Sequence, residues 1–264
     1  MMKTMPSSAL KHCYQTNPYI NQDFLTGIFL PKAPYKFPSE VISLKLLLKA
    51  LIKFIIGLLL IGAFLFLPAG DLRYPNGWLF IGLLFAPMLV LGIVLFLKAP
   101  DLLEKRLNAK EKENTQKGVL ALSALIFPLG FLLSALDFRF SWSRVPTWLV
   151  AVSAVLFLLG YAMYAEIMRE NAYLSRTVEV QENQKVISTG LYGIVRHPMY
   201  LATFLMFLPL PLSLGSFWGL IPFAFYPIVI VIRILNEEQL LCCELDGYAD
   251  YVKKVKHRLI PFIW

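Results

Sequence analysis

Six stretches of the chain are almost wholly apolar: Leu46 to Leu67, Trp78 to Leu97, Val119 to Leu136, Thr147 to Ala165, Met199 to Leu214 and Phe217 to Leu235. Most approach the roughly 20 residues that a helix needs to cross a hydrocarbon core about 30 Å thick, so they predict membrane-crossing helices. The fifth stretch is shorter, carries Pro209 and Pro211, and meets the sixth across only Gly215 and Ser216. Together they predict a tight helical hairpin. The pattern leaves open whether the fifth stretch spans the bilayer, but the chain returns to the side it left.

The polar connections predict an orientation, because cytoplasmic loops carry an excess of Lys and Arg. Of the 25 basic residues, 22 fall in the N-terminal flank, the second and fourth connections and the C-terminal segment. Only Arg73, Arg139 and Arg144 occupy the alternate connections. Both termini are therefore expected in the cytoplasm. Residues 1–40 are polar and proline-bearing, with no cleaved signal peptide expected, and read as a surface arm. Residues 41–264 read as one membrane domain, without internal repeat or soluble domain. The expected fold class is all-α: an integral membrane bundle of about five to six transmembrane helices, with a C-terminal helical hairpin and a cytoplasmic interfacial C-terminal helix.

Composition agrees. With 58% hydrophobic and 16% charged residues, there is more apolar surface than one soluble core hides. The net charge of +8 lies beside apolar segments, so anionic lipid headgroups are the expected partner and nucleic acid is excluded. Cys13, Cys242 and Cys243 form no disulfide framework, redox pair or metal site. The adjacent pair reads as small buried hydrophobes, with acylation near the membrane as the alternative.

Two polar regions carry candidate chemistry. The first, Glu166 to His197, has Thr177, Val178 and Val180 hinting at a short extended piece, and Gly190 and Gly193 allowing a tight turn. Pro198 suits the first turn of the next helix, which sets Arg196 and His197 at a helix N-terminus, where an anionic group is favoured. The competing reading is a basic turn that sets topology. The second region follows the sixth stretch. Arg233 and Glu237 are four apart and share a helix face, while Glu238 is rotated about 100° away. Snorkelling at the interface is the simpler reading of each charge alone. The hairpin, however, brings the Arg-His turn at its start to the Glu pair at its end, which predicts one site. Beyond it, Leu241, Gly247, Tyr248, Tyr251, Val255 and Arg258 recur at roughly helical spacing, which fits an amphipathic helix with an aromatic anchor.

In combination, Arg196-His197-Pro198-x-Tyr200, Arg233-Ile234-x-x-Glu237-Glu238-x-x-Leu241, Gly247-Tyr248-x-x-Tyr251-x-x-x-Val255 and Ile260-Pro261-Phe262-Ile263 resemble the isoprenylcysteine carboxyl methyltransferase family and its relatives among the phospholipid methyltransferases. The resemblance covers about residues 160–264 and implies a membrane enzyme that uses S-adenosylmethionine. It implies Arg196, His197 and Glu238 as catalytic residues, with His197, Pro198, Tyr200, Glu237, Glu238, Leu241, Tyr248 and Tyr251 lining the cofactor pocket and no metal. The implied partner is a lipophilic acceptor, a carboxylate or an amine. Two positions depart from the family pattern: Ala202 stands where glycine is usual, and Gly193 replaces a common basic residue. Two rival readings remain: a sterol-reductase-like enzyme that uses reduced nicotinamide dinucleotide phosphate, whose relatives share the Arg-His-Pro and Tyr pattern, and a non-catalytic membrane bundle or small transporter.

Overall fold

The computed structural model describes residues 40–107, 114–171, 173–174, 180–181 and 183–264. The expected N-terminal arm, and Thr177 and Val178 of the expected extended piece, lie outside the described residues. The described chain is helical: α1 (Glu40–Ala69), α2 (Pro75–Lys98), α3 (Pro100–Leu107), α4 (Asn114–Phe140), α5 (Thr147–Glu170), α6 (Pro198–Phe207), α7 (Leu210–Ser213), α8 (Leu220–Phe223), α9 (Tyr226–Glu244) and α10 (Tyr248–Lys254). Five helical stretches are long and apolar enough to span a membrane: Leu44–Ala69, Pro75–Lys98, Ala121–Phe140, Thr147–Glu170 and Leu220–Glu244. Their outward faces carry large apolar side chains such as Leu60, Val90, Leu125 and Leu159, all exposed in the isolated chain. In a bilayer these faces meet lipid, so exposure costs nothing there. The chain is an integral, multi-pass membrane protein.

The hairpin departs from two smooth helices. The fifth apolar stretch is α6 and α7, broken at Leu208 and Pro209; the sixth is α8 and α9, broken at Ala224 and Phe225 ahead of Pro227. Proline cannot donate an N–H to the preceding turn and its ring crowds the carbonyl four residues back, which sets the breaks. Although short, the hairpin reaches the end of the bundle opposite its base. Its tip lies among the α1–α2 and α4–α5 connections, where the Tyr74 hydroxyl donates to the Leu214 carbonyl (2.5 Å) and Asn76 Nδ2 to the Ser213 carbonyl (3.1 Å). Gly215 makes the turn with φ +76°, and a Cβ there would lie 3.1 Å from the Asn76 side chain, so the tip admits no larger residue without strain.

The largest core cluster fills the bundle beside the hairpin, with Phe80, Phe131, Phe157, Met206, Leu210, Leu214 and Phe223 buried together. Close packing of α5 on α6 depends on Gly160. A Cβ there would stand 2.8 Å from the Ala202 carbonyl and 2.6 Å from Met206 Cγ. Ala202, where glycine was the family expectation, is fully buried; the tight approach is made from the α5 side instead.

Candidate functional site

The base of the hairpin is built from three segments far apart in sequence. A short 3-10 turn, Gly190–Gly193, leads into Arg196, His197 and Pro198, with His197 as the N-cap of α6 and Pro198 its first residue. The C-terminal tail lies alongside: the Arg196 amide donates to the His257 carbonyl and the His197 amide to the Arg258 carbonyl, both at 2.9 Å. The third segment is the last two turns of α9, carrying Glu237, Glu238 and Leu241.

Glu238 is buried at their junction, and both carboxylate oxygens are occupied. Arg196 Nε donates to Oε1 at 2.7 Å, Arg258 Nε to Oε2 at 2.7 Å, and His197 Nε2 lies 3.2 Å from Oε1. Arg196 also donates through Nη1 to the carbonyls of Val255 (2.8 Å) and Lys256 (3.2 Å). A buried carboxylate is tolerated only when paired and hydrogen-bonded to this degree.

Glu237, one residue earlier, points elsewhere because successive helix positions differ by about 100°. Its carboxylate accepts from the Tyr200 hydroxyl, which itself accepts from Arg233 Nε at 2.9 Å. The Arg233 guanidinium also lies 5.9 Å from the Tyr200 ring centre. Tyr200 thus bridges a cation and an anion.

A cleft opens between these segments, with a cavity volume of about 100 Å³ apart from its open mouth. Arg196, His197, Pro198, Tyr200, Glu237, Leu241, Tyr248 and Tyr251 line it. Glu238 does not; it stands behind Arg196 and His197. The sequence-predicted residues therefore come together, with Glu238 in the supporting layer rather than on the wall.

Tyr248 and Tyr251 pack inward with Leu245 and Val255, against Val180, Val186 and Leu241. Tyr251 donates to the Tyr192 carbonyl at 2.7 Å. The Tyr248 hydroxyl is buried and has no hydrogen-bond partner. Burial first, then the Glu238 and Glu237 carboxylates, hold its pKa far above the ordinary tyrosine value, so it stays a donor. Sequence reasoning missed the upper wall, where Asn171 Nδ2 donates to the Tyr192 hydroxyl at 2.9 Å. Burial pushes that phenol up to about 12. The signal available was Asn171, which ends α5 as its C-cap and begins the polar stretch facing the site.

Residues 148–242 match the family model described as phospholipid methyltransferase. The matched segment runs from the second residue of α5 to the last turn of α9, so it contains Asn171, Tyr192, the Arg196–Tyr200 turn and the Glu pair. It leaves out α10 and the tail, which contribute Tyr248, Tyr251 and Arg258. Similar known proteins include a Delta(14)-sterol reductase of Arabidopsis thaliana, 24% identical over 128 residues, which is 44% of this chain and 34% of that protein. A Delta(14)-sterol reductase of Mus musculus is 29% identical over 92 residues, 33% of this chain and 22% of that protein. The chain thus spans about a third or less of the length of these relatives.

Proposed function

We propose that this protein transfers a methyl group from S-adenosylmethionine to a lipid or isoprenoid-type acceptor, in a single membrane domain, residues 41–264, whose cleft faces the cytoplasm. The observation that carries this reading is the coincidence of the matched segment with the helices that build the cleft. The 22 to 3 division of basic residues supports the orientation.

The residues present fit the cofactor. Arg196 and His197 offer donors to a carboxylate, Glu237 accepts from an amino group or ribose, and Leu241, Val186 and Ile187 offer apolar walls for a base. The unpartnered Tyr248 hydroxyl supplies a donor that the protein itself leaves unused. The bound cofactor would supply an electrophilic methyl carbon on a sulfonium. The chain's task is then to align, to keep water out and to manage a proton. Glu238 holds Arg196 and His197 in place from behind. Tyr192, Tyr248 and Tyr251 wall the cleft. For an amine acceptor, Glu237 can take the departing proton, with Tyr200 donating to its carboxylate and Arg233 held to that hydroxyl; a carboxylate acceptor needs no such step.

A nicotinamide-dependent reduction is the second reading, favoured by the partial similarity to the sterol reductases. Calorimetric titration of the purified protein separates the two. S-adenosylmethionine is expected to bind, and Glu237→Gln to weaken it roughly tenfold, as loss of about 1.5 kcal/mol from one charged hydrogen bond implies. Binding of reduced nicotinamide dinucleotide phosphate alone would overturn the methyl-transfer reading in favour of reduction.

A further inference from the structure

The tail that pairs with Arg196 and His197 has a second face. Leu259, Ile260 and Trp264 join Tyr200, Tyr226, Ile230 and Ile234 in one apolar cluster. Three of those partners, Tyr226, Ile230 and Ile234, belong to the membrane span Leu220–Glu244. The tail therefore lies against the flank of a span. Yet Phe262 and Ile263, within the same turn, are 93% and 77% exposed. Their exposure is fixed by the fold rather than by fraying. Phe262 adopts φ +66°, a left-handed conformation that bulky residues rarely enter. His257 Nδ1 accepts from the Phe262 amide at 3.2 Å. The Ile260 carbonyl accepts from the Ile263 and Trp264 amides, and the Trp264 carbonyl accepts from the amides of Arg258 and Leu259. Such a heavily bonded turn, holding two large apolar side chains outward beside a membrane span, calls for an apolar partner. Lys254 and Lys256, both exposed, sit next to it in sequence.

We propose that the turn 259–264 is a bilayer wedge. Phe262 and Ile263 enter the acyl region of the leaflet on the cleft side, while Lys254 and Lys256 meet anionic headgroups. Because the same tail carries Arg258, and its His257 and Arg258 carbonyls hold the Arg196 and His197 amides, seating the wedge secures the base of the cleft. The lipid leaflet is thus a structural component of the site.

The test uses the full chain with its three cysteines replaced, reconstituted in nanodiscs containing anionic lipid, with a nitroxide on Ile263→Cys and, separately, on the exposed Asp246→Cys. The label at 263 is expected to collide with oxygen severalfold more, relative to a water-soluble nickel chelate, than the label at 246. Equal ratios would overturn insertion. Hydrogen exchange of the Arg196 and His197 amides reads the coupling: in Phe262→Asp/Ile263→Asp they are expected to exchange at least tenfold faster in nanodiscs, and unchanged protection would overturn it. Neither measurement involves a cofactor, so failure here is distinct from failure of the methyl-transfer reading.

Discussion

The hairpin ends in a buried carboxylate partner at each extremity, and the two are held by different chemistry. At the tip, Asp137 is 1% exposed and, among the described residues, accepts from neutral donors: the Ser143 amide at 2.7 Å, the Ser143 hydroxyl at 2.6 Å and the Ser216 hydroxyl at 2.5 Å. At the base, Glu238 is 3% exposed and is met by two guanidinium groups and an imidazole. Neutral donors give a fixed joint between a connection and a turn. A guanidinium and an imidazole from the turn before α6, with a second guanidinium from the tail, give a junction that also holds Arg196 and His197 in the wall of a cleft. The same acidic chemistry thus serves as a fastening at one end and as scaffolding for the wall of the cleft at the other.

The comparison can be pressed by substitution. The largest effect is expected from Glu238→Ala, which strands buried Arg196 and the partly buried Arg258 and should cost about 3 kcal/mol or more, read by thermal unfolding in a bilayer mimic. Gly160→Ala lies between the two ends. The clash with the Ala202 carbonyl should cost about 2 kcal/mol and lower the stability of both ends together. Selective loss at one end in hydrogen exchange would show that α5 and α6 do not transmit between them. Asp137→Asn keeps the shape but loses the charge and should cost about 1 kcal/mol with S-adenosylmethionine affinity unchanged. A fall in affinity there would dissolve the distinction between joint and scaffold. The smallest change is Tyr248→Phe. Removing a hydroxyl with no partner should leave unfolding unmoved and weaken cofactor binding only a few-fold, and a marked loss of stability would mean that the hydroxyl is used within the fold.

Much of this was legible in the sequence because membrane spans are set by length and apolarity alone. The six stretches map onto the observed helices, and the proline positions foreshadow the break in the fifth. The meeting of Arg196 and His197 with Glu238 followed from the hairpin's geometry. The rotation between Glu237 and Glu238 was also readable, but which of the two faces the cleft was not, since that depends on how α9 turns against the tail. The spacing of Tyr248 and Tyr251 alone fits an aromatic anchor at the interface, because spacing reports a shared face and not what covers it; only the family resemblance set them in the pocket, and both line the cleft. They point inward, and Phe262 and Ile263 point out. Asp137 drew no attention beside Arg139, since its partners lie 6 and 79 residues away.

The way the tip is seated bears on the order in which the protein assembles. The carbonyls of Ser213 and Leu214 accept from Asn76 and Tyr74, and a buried carbonyl left without a donor costs about 1–3 kcal/mol. A broken, proline-bearing hairpin cannot supply those donors from within. The tip is therefore seated only once donors that precede it by 137 and 140 residues are in place.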